Sequence, residues 1–218
     1  MTNPLVSQIV SQLRADNVTQ KKGLLKFDLA GISIEIDNKD VLGGILQSWF
    51  SAWLNTHGYD DLQEETQQFP DYLFKGGIYL ELKTFNSEAT PAFDVANFAS
   101  YVDSLLIKPQ RLNSDYLIMS YKVESSRISI VDFWVKKVWE ITGPSDTNIL
   151  NLQVKRGKVY NIRPKTWYNG RVETFSSRKD FVIALWQAGM RFETPNSCDE
   201  KWFAKVESLF KKITGSDL

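Results

Sequence analysis

The chain has 218 residues, of which 43% are hydrophobic and 13% aromatic, and this is enough apolar material for a substantial core. Its 26 Lys and Arg residues balance 26 Asp and Glu residues, and the net charge of zero argues against binding nucleic acid mainly by bulk electrostatics. The lone cysteine and lone histidine exclude an intramolecular disulfide, a thiolate zinc site and the nuclease classes whose centres need several histidines.

The first quarter of the chain is predicted to form a helix, a hairpin and a longer helix. The start, Met1 to Leu5, lacks a basic region followed by an apolar core. No apolar run approaches the roughly 20 residues that cross a bilayer, so a cytoplasmic protein without a membrane segment is expected. Apolar spacing predicts a helix over residues 4–15, strands over 24–29 and 32–36, and a helix between Asp40 and His57.

A second hairpin is predicted next, and it carries the most informative residues of the chain. The turn signal Lys75-Gly76-Gly77 separates an apolar segment from the strand-like segment 78–85. Because side chains alternate along a strand, Glu81 and Lys83 share one face of this segment, and the opposite face is expected to be buried. A tight turn would lay Asp71 beside this strand.

The polar groups of this hairpin suit a hard divalent cation. Mg²⁺ takes oxygen ligands and keeps several waters, so the carboxylates of Asp71 and Glu81 are enough protein ligands, with the backbone carbonyl of Leu82 as a further candidate. Lys83 would hold or help deprotonate the attacking water and offset negative charge. The set predicts a magnesium-dependent phosphodiesterase centre, and the alternative is a surface salt bridge between Glu81 and Lys83.

The rest of the chain alternates strands and helices without a repeat, a low-complexity tract or a flexible linker. The predicted elements are a helix opened by Pro91, strands over 116–123 and 128–139, a hairpin of 149–154 with 159–162, and helices over 178–190 and 199–213. This continuity predicts a single domain over residues 1–218, with a catalytic core at roughly 40–140 and a DNA-contacting elaboration at roughly 145–180.

Basic and aromatic residues are interleaved between Val154 and Arg178, and this mixture suits a loop or ribbon that enters a DNA groove. The candidate DNA contacts are Lys155, Arg156, Arg163, Lys165, Asn169 and Arg171 in this segment, with Asn86 and Lys108 on loops that flank the proposed centre. The alternative interpretation is a solvated face beside core aromatic residues.

Two short motifs resemble a known nuclease signature. Phe69-Pro70-Asp71 and Glu81-Leu82-Lys83 are similar to the PD-(D/E)XK motif. The continuation, which includes residues 83–86, 91–98, 111–112 and 115–121, resembles type II restriction endonucleases of that superfamily, and enzymes of the NgoBV and NlaIV kind most of all. The resemblance spans most of residues 40 to 170.

The resemblance implies a restriction-endonuclease-like α/β fold, in which a mixed central sheet is flanked by helices in the order αβββαβ, with an added β-rich and helical C-terminal part. It also implies Mg²⁺-dependent, sequence-specific cleavage of double-stranded DNA by a homodimer. The sequence departs from the family at two points: the helix before the motif reads Gln47-Ser48-Trp49-Phe50 without a glutamate, and no first strand is evident between Gly58 and Phe69.

Two other functions stay open on the sequence. A PD-(D/E)XK nuclease of DNA repair or junction resolution would carry the same motif. A non-catalytic DNA-binding module would make Asp71, Glu81 and Lys83 incidental surface charges.

Overall fold

The computed structural model describes residues 2–36, 39–59, 62–64, 69–170 and 173–218. The chain divides into two compact units, one formed by residues 1–90 with 115–136 and the other by residues 91–114 with 137–218. The prediction of one domain stays a prediction, as does the cytoplasmic location. Among the described residues, no helix is long and apolar enough to cross a membrane.

The helices and strands follow one another in mixed order along the chain. They are α1 (Pro4–Ala15), β1 (Lys22–Leu24), β2 (Lys26–Leu29), β3 (Ile32–Glu35), α2 (Lys39–Thr56), β4 (Leu62–Glu64), β5 (Tyr72–Phe74), β6 (Ile78–Asn86), β7 (Ala96–Asn97), α3 (Phe98–Leu105), β8 (Asp115–Glu124), β9 (Arg127–Lys136), α4 (Val138–Ile141), β10 (Leu152–Lys155), β11 (Lys158–Ile162), α5 (Arg178–Phe192) and α6 (Trp202–Thr214).

The first unit is built on a six-stranded mixed sheet with the strand order β1-β9-β8-β6-β5-β4. Strands β6 and β8 are parallel, and the other neighbours in this sheet are antiparallel. Every residue of β8 from Asp115 to Tyr121 is buried, as expected for a central strand that is covered on both faces. Helix α2 packs on β6 through an apolar stripe with a spacing of four residues. The buried residues of this stripe are Leu42, Leu46, Phe50 and Leu54.

The predicted αβββαβ order is confirmed by α2, β4, β5, β6, α3 and β8, with only the two-residue strand β7 inserted between β6 and α3. The strand that the sequence did not reveal is β4, which pairs antiparallel with β5 through three residue pairs. Its three residues are too few to show an alternating pattern, which is why periodicity missed it. The mixed α/β architecture expected from the resemblance is therefore present.

The second unit contains a three-stranded antiparallel sheet of order β10-β11-β7 together with helices α3 to α6. Its core is aromatic, and the fully buried residues include Phe98, Tyr101, Phe181, Trp202 and Phe210. Strands β10 and β11 form the predicted hairpin. Its turn residues, Arg156 and Gly157, have φ angles of 53° and 76°, as a two-residue turn between twisted strands requires.

The prediction that Pro91 opens a helix is wrong, because α3 begins at Phe98. Asn97 belongs to β7, where it lies opposite Asn161 of β11, and its side chain caps α3 by accepting a hydrogen bond from the Ser100 amide at 3.0 Å. Residues 91–95 therefore precede β7 without forming a helix, and the residue that marks the start of the helix is the capping asparagine.

Three other predicted boundaries moved for local reasons. Strand β9 ends at Lys136 because the Lys137 amide donates to the Glu140 carboxylate at 2.6 Å and starts α4. The predicted strand over 24–29 is interrupted at the buried Leu25, which separates β1 from β2. Helix α6 begins after the Asp199 side chain accepts a hydrogen bond from the Lys201 amide at 2.9 Å, a local turn that delays the helix.

Candidate active site

The predicted second hairpin is present and holds the candidate catalytic residues within one short stretch of chain. Strands β5 and β6 pair antiparallel, with Tyr72 opposite Leu80 and Phe74 opposite Ile78. Gly76 and Gly77 in the turn have φ angles of 85° and 75°, a conformation in which side-chain-bearing residues are strained. The glycine pair thus fixes the register that lays Asp71 beside β6.

Three side chains converge at this point. The Leu82 amide donates to Oδ2 of Asp71 at 2.9 Å, and the Asp71 amide donates to Oε1 of Glu81 at 3.2 Å. Nζ of Lys83 lies 2.9 Å from Oε2 of Glu81. The hairpin therefore brings Asp71, Glu81 and Lys83 together, as the sequence predicted.

The burial of this cluster differs from the sequence expectation. The side chains of Glu81 and Lys83 are only 5% and 18% exposed, so they do not form a solvated surface salt bridge. Removing an ion pair from water costs free energy unless further polar partners or charges compensate. A partly buried acid and amine on a central strand is therefore a feature that stability alone does not favour.

The electrostatics of the cluster favour a bound cation. Burial, and next the negative charge of Glu81, raise the pKa of Asp71 to about 6, although Lys83 and the Leu82 amide act in the opposite direction. Two carboxylates held this close together are the donor set that a hard divalent cation stabilises. Within the described part of the chain, no group of three or more His, Cys, Asp and Glu side chains is arranged for a metal, so any ion here would rely on these two carboxylates and on backbone or water oxygens.

The support of the hairpin was not visible in the sequence. The Tyr72 hydroxyl, one residue after Asp71, donates to the Gln47 carbonyl of α2 at 3.1 Å and lies 3.2 Å from the Ser51 hydroxyl. Tyr72 is fully buried. Helix α2 thus anchors the strand that follows Asp71, even though it carries no glutamate toward the centre. The sequence feature that could have indicated this support is Tyr72, a polar aromatic residue directly after the candidate ligand Asp71.

The structure also places the candidate DNA contacts Asn86 and Lys108 and the candidate backbone ligand Leu82. Asn86 ends β6, and its side-chain oxygen accepts a hydrogen bond from the Glu88 amide at 2.9 Å. Lys108 is exposed and precedes a short 3-10 turn over Pro109–Asn113. Leu82, the candidate backbone ligand, has a buried side chain, and its amide already serves Asp71.

The basic residues of the second unit differ in their exposure and in their contacts. Lys155 and Arg156 lie exposed at the tip of the β10–β11 hairpin. Arg163, after β11, pairs with Asp94 at 3.1 Å and also donates to the Ala92 carbonyl, so it holds the loop before β7. Lys165 is half-buried.

Two further candidates, Asn169 and Arg171, follow in the sequence. Asn169 is exposed. Arg171 lies outside the described residues. The contact of these side chains with DNA stays a prediction.

Comparison with known proteins agrees with this geometry. The sequence model of the NgoBV restriction endonuclease family matches residues 5–218. The type II restriction enzyme NlaIV of Neisseria lactamica is 34% identical over 209 residues, which are 92% of this chain and 86% of that enzyme. The type II restriction enzyme NgoBV of Neisseria gonorrhoeae is 32% identical over 149 residues, which are 66% of this chain and 85% of that enzyme.

A solved structure of the NlaIV restriction endonuclease superposes with a TM-score of 0.86 at 33% sequence identity and covers 97% of this chain and 90% of that chain. The matched region includes the hairpin that carries Asp71, Glu81 and Lys83. The chain belongs to the NgoBV restriction endonuclease family.

Proposed function

We propose that this protein is a type II restriction endonuclease that hydrolyses phosphodiester bonds of double-stranded DNA at a specific sequence and uses Mg²⁺. Family membership supports the reaction class. The observation that carries the proposal is the convergence of Asp71, Glu81 and Lys83 on one hairpin, with the Asp71 carboxyl destabilised in its charged form.

The carboxylates of Asp71 and Glu81 would hold the metal ion, with the Leu82 carbonyl as a third oxygen. The donor set fits Mg²⁺ because it consists of oxygens and carries more negative charge than Lys83 can neutralise. The ion, when bound, supplies polarisation of the scissile phosphate. The Leu82 amide, 2.9 Å from Asp71, fixes the orientation of that carboxylate.

Lys83 would position the attacking water and offset the charge that develops on the phosphate. Its ion pair with Glu81 at 2.9 Å keeps the ammonium at the centre, and the low exposure of both side chains strengthens that interaction. In this proposal Glu81 is both a metal ligand and the ion-pair partner that orients Lys83.

We infer a homodimer as the active form, because one centre cleaves one strand and a palindromic duplex presents two symmetric strands. Incubation with plasmid DNA and Mg²⁺, followed by sequencing of the fragment ends, tests the function directly. We expect discrete fragments with one recurring end sequence, and no cleavage in EDTA. Cleavage restricted to branched DNA would favour the repair nuclease, and binding without cleavage would favour the non-catalytic module.

The hairpin tip of the second unit is the proposed DNA contact that is easiest to isolate. Replacing Lys155, Arg156 and Lys158 together by alanine should weaken DNA binding about 10- to 100-fold at near-physiological salt and reduce the salt dependence, because each lost phosphate contact lowers the slope by about one. All three residues are exposed, so the fold should not change. Fluorescence anisotropy over a salt series measures both quantities.

The matched control removes the same charge from helix α6. Lys205, Lys211 and Lys212 are exposed there, and their triple alanine variant should bind DNA as the unmodified protein does. Equal loss in both variants would show a general effect of net charge and would remove the hairpin tip from the interface.

A further inference from the structure

The hairpin of β2 and β3 (residues 26–35, the arm) is set apart from the rest of the first unit. Its strands pair with each other and form a separate two-stranded sheet among the described strands. An isolated two-stranded hairpin is only marginally stable in water, and it usually needs a surface to pack against. The arm is therefore expected to pack against another surface.

One face of the arm is entirely apolar. Phe27 lies opposite Ile34, and Leu29 lies opposite Ile32. Directly opposed residues and residues two apart share a face of a hairpin, so these four side chains form one compact group, the apolar arm face. Each of the four is between 49% and 68% exposed. Such a cluster of exposed large apolar side chains marks an interaction site in a folded protein.

The arm lacks the excess of basic residues that a surface for DNA phosphates needs. Lys26 pairs with Asp28 at 3.0 Å, and Asp28 also accepts a hydrogen bond from Ser33. The arm therefore holds one basic residue, Lys26, against two acidic residues, Asp28 and Glu35, and the apolar arm face carries no charge. The partner must therefore present an uncharged apolar surface of similar size.

The area of the face suits the central contact of a symmetric pairing. Four side chains at these exposures present on the order of 400 Å², about half of the roughly 800 Å² that each partner buries in a stable interface, so surface around the arm would supply the rest. Leu24, just before the arm in the chain, is a further exposed apolar residue, at 68%, and lines a cavity of about 370 Å³ together with Ile45 and Trp49. A two-fold rotation places an identical apolar face opposite the first, which satisfies the requirement for an uncharged partner.

We propose that the apolar arm face is the contact through which two copies of this chain associate, with the arm of one protomer packed face to face on the arm of its partner. The inference rests on the proposed function, in that a duplex cutter needs two centres, but it concerns self-association and is testable without DNA. Eight apolar side chains would then form a small core between two sheets about 10 Å apart.

The first test is sedimentation of the unmodified protein and of the double variant Leu29→Asp with Ile32→Asp. We expect the unmodified chain to sediment at twice its 25.0 kDa mass and the variant to associate at least about 100-fold more weakly, because four carboxylates would meet at one apolar contact. The matched control is Ile107→Asp with Ile213→Asp, which alters two exposed isoleucines of the second unit and should leave the dimer intact. Circular dichroism verifies that each variant is folded.

The second test needs no disruptive substitution. Cys198 is buried, and burial raises the pKa of its thiol to about 11, so a cysteine introduced at Leu29 would be the reactive thiol of the chain. A short bis-maleimide should cross-link Leu29→Cys into covalent dimers in high yield and leave Ile107→Cys without cross-links. Equal cross-linking of the two variants would overturn the proposal.

The remaining outcomes separate this inference from the proposed function. A monomeric unmodified protein at concentrations up to about 50 µM would overturn the arm contact, and plasmid cleavage would still decide the function. A dimer that the arm variant dissociates would support the inference even if no DNA were cut. Loss of DNA or vesicle binding in the arm variant, without any change in self-association, would assign the arm to that partner and overturn the proposal.

Discussion

Replacing Lys83 by alanine is expected to reduce the rate of DNA cleavage by at least about 10³-fold, because its ammonium lies against Glu81 and also acts electrostatically on Asp71. DNA affinity should stay within a few-fold of the unmodified protein, since one partly buried side chain contributes little to phosphate contacts. Single-turnover cleavage and fluorescence anisotropy on the same fragment measure the two effects separately.

The matched control for Lys83 is Lys122→Ala. Lys122 lies in β8, the neighbouring strand, and pairs with Glu124 at 2.8 Å and Glu88 at 3.2 Å, so it also belongs to an acid and lysine pair on a strand. Its side chain is 38% exposed, compared with 18% for Lys83. The Lys122→Ala variant should cleave normally. A Lys83→Ala variant that cleaves at a similar rate would remove Lys83 from the catalytic centre.

Replacing Asp71 by asparagine is expected to abolish cleavage and, in EDTA, to stabilise the folded protein at pH 8. The pKa of Asp71 is about 6 in the folded protein, above the ordinary value of 3.8, so the folded state binds the proton more tightly than the unfolded state. The unfolding free energy therefore falls as pH rises from about 4 to about 6, and at pH 8 the ionised carboxyl costs on the order of 1–3 kcal/mol.

Asparagine carries no charge and keeps an oxygen that can accept the hydrogen bond of the Leu82 amide. The variant should therefore unfold at a higher temperature than the unmodified protein at pH 8 and at about the same temperature at pH 4. Mg²⁺ should raise the unfolding temperature of the unmodified protein at pH 8 and should have little effect on the variant, because one carboxylate ligand is lost. Differential scanning fluorimetry at both pH values gives these comparisons.

The control for this prediction is Asp180→Asn, for which the expected change in stability at pH 8 has the opposite sign. Hydroxyl groups of Ser177 and Ser176 lower the pKa of Asp180, so ionisation of that carboxyl favours the folded state. Its contribution to stability is present above the unfolded pKa and disappears as pH falls through the lower folded pKa. Asp180→Asn should therefore destabilise the protein at pH 8. If Asp71→Asn behaved in the same way, or if Mg²⁺ protected it fully, the proposed metal ligand would be wrong.

The hairpin that carries Asp71, Glu81 and Lys83 could be predicted because its determinants are local. The glycine turn, the alternation of β6 and the distance of ten residues between Asp71 and Glu81 all lie in one short stretch. Turn chemistry and side-chain periodicity act over such distances without help from the rest of the fold. The same local logic explains the correct β10–β11 turn at Arg156 and Gly157.

Other elements could not be predicted, for two different reasons. Strand β4 has only three residues, too few to show an alternating pattern, and it is recognised through its pairing with β5. The start of α3 depends on Asn97, which pairs with Asn161 of β11. There, pairing with a segment distant in sequence overrides the local signal of Pro91.

By itself, the sequence determined the candidate chemistry of this protein: two carboxylates and an amine at fixed spacing on one hairpin, and a charge balance and histidine count that exclude other nuclease classes. Only the tertiary structure decided the environment of these groups. Glu81 and Lys83 lie on β6, which pairs with β5 on one side and with β8 on the other, and their side chains are only 5% and 18% exposed, which turns an ordinary charge pair into a desolvated one. Burial also raises the pKa of Asp71, because the cost of an ionised carboxyl depends on what surrounds it and not on its neighbours in the chain.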